Sequence, residues 1–144
     1  MKVRLLMACV CWMTASAWAQ TTPVGVWKSI DDKTGEAKSE VRISESGGVL
    51  SGRVEKLLRQ GADPAARCTE CQGELKDRPM VGLEIISGAK KAEGRDVWED
   101  GKILDPETGK FYTLRLTPVE GGAKLEVRGS IGPFGRTQTW TRVQ

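Results

Sequence analysis

The sequence predicts an all-β domain: an antiparallel up-and-down barrel of about eight strands joined by short turns. Three observations carry this. All 17 glycines lie beyond residue 20, and they punctuate short runs rich in Val, Ile, Leu and Thr. No stretch after the N-terminal leader holds a helical apolar period over a useful length. The turns are short, so successive runs become hairpin neighbours, and closing such a meander removes its two edge strands. An open sandwich is the alternative architecture.

Taken in order, Val24 to Ile30 reads as the first strand, and Asp31-Asp32-Lys33-Thr34-Gly35 as a turn in which Asp bonds its own backbone. Ser39 to Glu45 alternates, with Val41 and Ile43 opposed to Glu40, Arg42 and Ser44. Gly47-Gly48 marks a tight hairpin, and Val49 to Leu58 is the returning strand. Arg59 to Arg78 is a long aperiodic stretch that holds Cys68 and Cys71; loops of this length are often functional or locally stapled. Met80 to Ile86 reads as the fourth strand and Asp96 to Leu104 as the fifth, interrupted at Asp100-Gly101. After the Asp105–Gly109 turn, Lys110 to Thr117 alternates with Tyr112, Leu114 and Leu116 on one face. Ala123 to Ile131 and Arg136 to Val143 complete the set, turning at Gly121-Gly122 and at Gly132-Pro133. A barrel of eight strands is just wide enough to be filled by side chains or to hold one small ligand.

Residues 1–19 have a separate character. Lys2 and Arg4 precede an apolar run from Leu5 to Ala15, followed by Ala17-Trp18-Ala19. This is the pattern of a secretory signal peptide, with cleavage expected after Ala19 and export of the remaining chain. The apolar run is shorter than the ~20 residues a membrane span needs, and Cys9 and Cys11 come early for an acylated lipoprotein cysteine. Residues 20–144 then form one domain of about 125 residues, with no transmembrane segment expected in it. Losing Lys2 and Arg4 lowers the formal charge from +3 to a nearly balanced value, about +1. Such a surface gives no reason to expect nucleic acid or anionic membrane as a partner.

The chain contains no His. That excludes Ser-His-Asp and Cys-His catalysis and the HExxH zinc site. Catalysis would have to rest on Lys, carboxylate or Tyr chemistry, and no catalytic residue is assigned. Asn is absent too, so the turns are built from Asp and Gly. The acidic turns at Asp31 and Asp105 do not keep the calcium-loop frame, because Lys33 occupies a ligand position. No metal site and no cofactor is expected.

Gly25-Val26-Trp27 opens the first strand, and Trp140 and Arg142 lie on the last. In a closed meander these strands are neighbours, so the Arg142 guanidinium can lie across an indole ring. A Gly-x-Trp on the first strand with a basic residue from the final strand resembles the lipocalin and calycin pattern. Gly25, Trp27, Trp140 and Arg142 are therefore expected to close one end of the barrel. The whole domain also resembles the bacterial family of domain of unknown function 2147, small exported proteins of calycin-like type. The likeness rests on Gly25-Val26-Trp27, Asp31 to Gly35, Cys68-Thr69-Glu70-Cys71, Gly73 to Asp77 and Gly82-Leu83. It continues through Gly101 to Pro106, Gly109-Lys110, Tyr112, Val127 to Gly129, Ile131-Gly132, Gly135 to Thr137 and Trp140 to Arg142. The resemblance implies a fold and no activity.

Cys68 and Cys71 allow three readings. A zinc site lacks two of its usual ligands, and a redox pair needs a helix N-terminus that Gly73 and Pro79 leave little room for. A local disulfide suits an exported chain and is the favoured reading. It is expected to shape the Arg59–Arg78 loop over one barrel mouth.

The function expected from these features is non-catalytic binding of a small hydrophobic or amphipathic ligand. Its candidate residues are Tyr112, Leu114 and Leu116 on the inward face, Trp98 near the opposite end, and Arg128 as an anion partner. The alternative is a filled barrel that serves as an interaction or structural module for an envelope protein partner.

Overall fold

The structure is a computed structural model that describes residues 21–144. The leader and its cleavage point after Ala19 lie outside the described residues. The strands are β1 (Gly25–Ile30), β2 (Ala37–Ser46), β3 (Val49–Leu57), β4 (Glu84–Lys91), β5 (Trp98–Asp105), β6 (Lys110–Val119), β7 (Lys124–Ile131) and β8 (Phe134–Arg142). Each pairs antiparallel with its neighbours in sequence, and β8 returns to β1, so the sheet is a closed barrel. Two single-turn 3-10 helices, Gly73–Leu75 and Glu120–Gly122, are the only helical pieces among the described residues. None is long and apolar enough to cross a membrane.

The alternating sequences deliver their apolar rows to the barrel interior. Val41 and Ile43 of β2, Leu114 and Leu116 of β6, and Leu125 and Val127 of β7 are all buried. Their polar neighbours Arg42, Ser44, Arg115 and Glu126 are exposed on the other face. Each buried Leu, Ile or Val contributes roughly 1.5–3 kcal/mol over the exposed state, which makes the register costly to slip.

Two elements depart from the sequence pattern. The fourth strand runs Glu84–Lys91 instead of Met80–Ile86. Met80 to Leu83 belongs to the loop, where Gly82 takes φ +92° and donates its N–H to Val54 O. The strand continues instead through Ser87-Gly88-Ala89, a polar turn on paper, because Gly88 accepts φ +71°. In β5 the interruption at Asp100-Gly101 is a bulge: the register to β6 shifts between Trp98 and Gly101, and Asp100 sits at φ +62°. A side chain at Gly101 would meet Ala89 Cβ at 2.9 Å, so the glycine lets β4 and β5 approach closely.

The β1–β8 seam is the shortest pairing, with register only from Trp27↔Arg142 to Lys28↔Thr141. It is extended by the C-terminus, where Val26 N–H donates to Gln144 O at 2.7 Å and Val143 N–H to Val26 O at 2.8 Å. Trp27 is fully buried at this seam, and its Nε1–H donates to Pro23 O at 2.7 Å. The Arg142 guanidinium lies over its ring, 4.2 Å from the centroid. Three carbonyls accept from that guanidinium: Gly122 at 2.6 Å, Val24 at 2.9 Å and Thr22 at 2.7 Å. Arg142 thus ties the N-terminal segment, the β6–β7 turn and β8 together. Gly25 stands at φ +141°, where a Cβ would be 2.6 Å from Arg142 Nη1. That contact explains the glycine two residues before Trp27.

Candidate functional site

Antiparallel connectivity puts the β1–β2, β3–β4, β5–β6 and β7–β8 connections at one end and the chain termini at the other. The terminal end is packed by Trp27 and Arg142. The opposite end opens into a cavity of about 540 Å³, within the size range of small-molecule sites. Val54, Ile85, Val127 and Trp140 line its inner part; Ile103, Tyr112 and Gly129 lie on its walls. Ser29 and Ser39 add a buried hydroxyl pair, Oγ to Oγ 2.8 Å, with Ser29 Oγ also donating to Ser39 O at 3.2 Å. Gln138 lines the cavity too, and its Oε1 accepts from Trp140 Nε1–H at 2.9 Å.

The mouth is framed by charges that pair across it. Arg59 Nη2 donates to Asp31 Oδ2 at 3.2 Å and to Glu107 Oε1 at 2.8 Å, joining the long loop to two turns. Arg136 of β8 pairs with Asp32. The Asp31 and Asp105 turns share one chemistry. Asp31 Oδ1 accepts from the N–H groups of Lys33 and Thr34, and Asp105 Oδ1 from that of Glu107. The N–H groups of Gly35 and Gly109 close the two turns on the Asp31 and Asp105 carbonyls, each at 2.8 Å. Backbone donation from Lys33 and Thr34 holds the Asp31 carboxyl below the usual range, with the charges of Lys38 and Arg59 acting in the same direction.

The long loop is ordered by its own hydrogen bonds. Arg67 and Pro79 form a bridge, Met80 N–H donates to Ala66 O at 2.9 Å, and Cys68 N–H donates to Arg78 O at 2.8 Å. Arg59, Ala62, Ala66 and Met80 bring the loop and its flanks to the cavity. Cys68 and Cys71 form a disulfide, and both are buried. The loop packs so closely on the β5–β6 turn that a Cβ at Gly109 would be 1.9 Å from Glu70 O. Replacing Cys68 and Cys71 together by Ser is expected to cost about 2 kcal/mol, the chain-entropy value for so small a ring. The barrel remains folded, and tryptic cutting at Arg67 and Lys76 accelerates. Unchanged cutting would show that hydrogen bonds alone hold the loop.

The comparisons with known proteins agree with this architecture. The model of a family described as an uncharacterized protein conserved in bacteria, DUF2147, matches residues 25–142. The chain belongs to the DUF2147 family. A solved structure, protein HP1028 from the human pathogen Helicobacter pylori, described as belonging to the lipocalin family, superimposes with a TM-score of 0.74 at 22% identity. The match covers 87% of this chain and 85% of that one, and it shows a shared barrel fold. No curated protein matches the sequence.

Within this DUF2147 barrel the candidate residues separate. Tyr112 lines the cavity. Leu114 and Leu116, on the same inward row, do not: they are fully buried and fill the barrel further from the mouth. Trp98, paired with Leu116, is also buried in the packed core, with Lys91 Nζ 5.9 Å from its ring centroid. Arg128 is not in the cavity either. It alternates with inward-facing Val127 and Gly129, and on the outer face its Nη1 donates to Thr137 Oγ1 at 3.4 Å. Its guanidinium occupies the space where a Gly135 side chain would be, 2.6 Å from that Cβ position. Trp140 was expected to join the closure with Gly25, Trp27 and Arg142, but it lines the cavity. Gln138, Ser29 and Ser39 are site residues that sequence reasoning missed, whereas Arg59, Ala62 and Ala66 belong to the loop that the sequence places over one barrel mouth. Alternation along β8, in which Arg136, Gln138 and Trp140 share a face, was the available signal for Gln138.

Proposed function

We propose that this protein is an exported, non-catalytic carrier or sequestering protein for one small hydrophobic or amphipathic molecule. The observation that supports this reading is the cavity of about 540 Å³ at the loop-covered mouth. A completely filled barrel would have favoured the interaction-module alternative. The cavity is lined mainly by apolar side chains with a few polar groups, and charged residues stand beside the exposed Ile131 and Phe134 at its rim, an arrangement typical of small-molecule sites. Export to the periplasm or beyond is proposed from the leader pattern of residues 1–19.

Native mass spectrometry of the protein purified from its own bacterial envelope tests the reading. A reproducible small mass that leaves on mild denaturation is the expected result. A stoichiometric protein partner with no small mass would overturn it in favour of the envelope-module alternative.

A further inference from the structure

We propose that Gln138 determines the specificity of the cavity, and that its ligand carries a carbonyl-type hydrogen-bond acceptor (ketone, ester or amide) on an otherwise apolar body. The inference rests on the reading of the cavity as a ligand site and names the chemistry that site selects.

It follows from accounting for the polar groups that line the cavity. An indole N–H can only donate, so the atom of Gln138 that meets Trp140 Nε1 is the amide oxygen. The orientation of the amide is thereby fixed, and its –NH2 group is left over. Among the described residues no acceptor takes either of those N–H bonds. The other polar groups are largely spent on the protein itself. Ser29 donates to Ser39 O, so the proton between the two hydroxyls comes from Ser39, and both are used. Arg59 is held by Asp31 and Glu107, and Arg136 by Asp32. The Asp105 carboxylate accepts from Glu107 N–H and from Thr108 Oγ1 within its own turn. Lys38 also lines the cavity and makes no ion pair among the described residues. Two of the three cations at the cavity are thus paired, and among its neutral side chains Gln138 is the one whose free group can only donate. Gln138 is half-buried among apolar neighbours with its –NH2 open to the cavity's solvent, so a ligand that displaces this solvent leaves the donor unmet unless it brings an acceptor of its own. The Tyr112 hydroxyl, also without a protein partner among the described residues, can donate or accept and so does not discriminate.

Two solvatochromic dyes of similar size serve as probes. One is a propionyl-dimethylaminonaphthalene, whose carbonyl accepts hydrogen bonds and reports them as a red shift in emission. The other is phenylnaphthylamine, which has no carbonyl. Gln138→Met removes the donor, and Gln138→Glu keeps the acceptor for Trp140 while replacing –NH2 by oxygen. The expected result is that both variants weaken the carbonyl dye roughly three- to tenfold and blue-shift its bound emission. In Gln138→Met the affinity for the carbonyl dye relative to phenylnaphthylamine falls by about three- to tenfold, since only the carbonyl dye loses a hydrogen bond. Equal weakening of both dyes by Gln138→Met, or an unshifted carbonyl dye in both variants, would overturn the role of Gln138 while leaving the cavity reading intact. If neither dye bound the wild-type protein, both readings would fall together.

Discussion

Trp27→Ala is expected to lower the free energy of unfolding by about 3–5 kcal/mol, the range for removing a large buried aromatic side chain. A domain of this size has only about 5–15 kcal/mol in total, so the variant should sit near its unfolding threshold at ambient temperature. Its location makes the loss severe. The β1–β8 seam has the shortest register in the barrel, and Trp27 stands on it opposite Arg142. Removing the indole leaves a cavity, deprives Pro23 O of its donor, and takes away the surface on which the Arg142 guanidinium rests. Trp27→Phe keeps most of the ring but lacks the N–H, and is expected to cost about 1–2 kcal/mol. Urea unfolding followed by circular dichroism measures both. A loss below about 1 kcal/mol for Trp27→Ala would mean that backbone pairing alone closes the barrel.

Gly109→Ala should have the next largest effect, because two costs coincide there. The residue sits at φ +73°, which adds about 1–2 kcal/mol for any side chain. The new methyl would also lie 1.9 Å from Glu70 O, a backbone atom of the disulfide loop that cannot swing aside. The loop must therefore lift from the β5–β6 turn. Gly35→Ala is the matched control: it has the same φ of +73° in the equivalent turn of β1–β2, and nothing lies within 4 Å of its Cβ position. Gly35→Ala is expected to cost only the backbone term and to leave the loop resistant to trypsin. Gly109→Ala is expected to cost more and to expose Arg67 and Lys76 to cleavage. Equal stability and equal cleavage in the two variants would contradict the packing of the loop on that turn.

The barrel was legible in the sequence because its turns and its alternation are local signals. Asp31 and Asp105 announce their turns by the bonds their own carboxylates make, and Val41-Arg42-Ile43 shows a two-residue period that register alone preserves. The fourth strand was misplaced because Ile85 and Ile86 are adjacent apolar residues with no alternation, while Gly88 permits strand where composition suggests turn. The site was harder to read for a geometrical reason. Alternation tells which face a residue takes but not its depth along the barrel axis, so Tyr112 could not be separated from Leu114 and Leu116. Arg128 illustrates the complementary limit: as an anion partner it would have to face inward, and the closed barrel puts it on the outer face between inward-facing Val127 and Gly129. Gln138 acquires its meaning from Trp140 two residues on, a side-chain hydrogen bond that no spacing rule announces.

The central claim is that the open end of the barrel takes a small apolar molecule, and a single titration tests it most directly. Phenylnaphthylamine is added to the wild-type protein and to Ile103→Trp, which places a bulky ring on the cavity wall while leaving the Trp27–Arg142 seam untouched. The account predicts saturable one-to-one fluorescence enhancement for the wild type, and binding weakened by at least about tenfold in a variant that still unfolds cooperatively. Absence of binding to the wild type, or equal binding by the plugged variant, would contradict it.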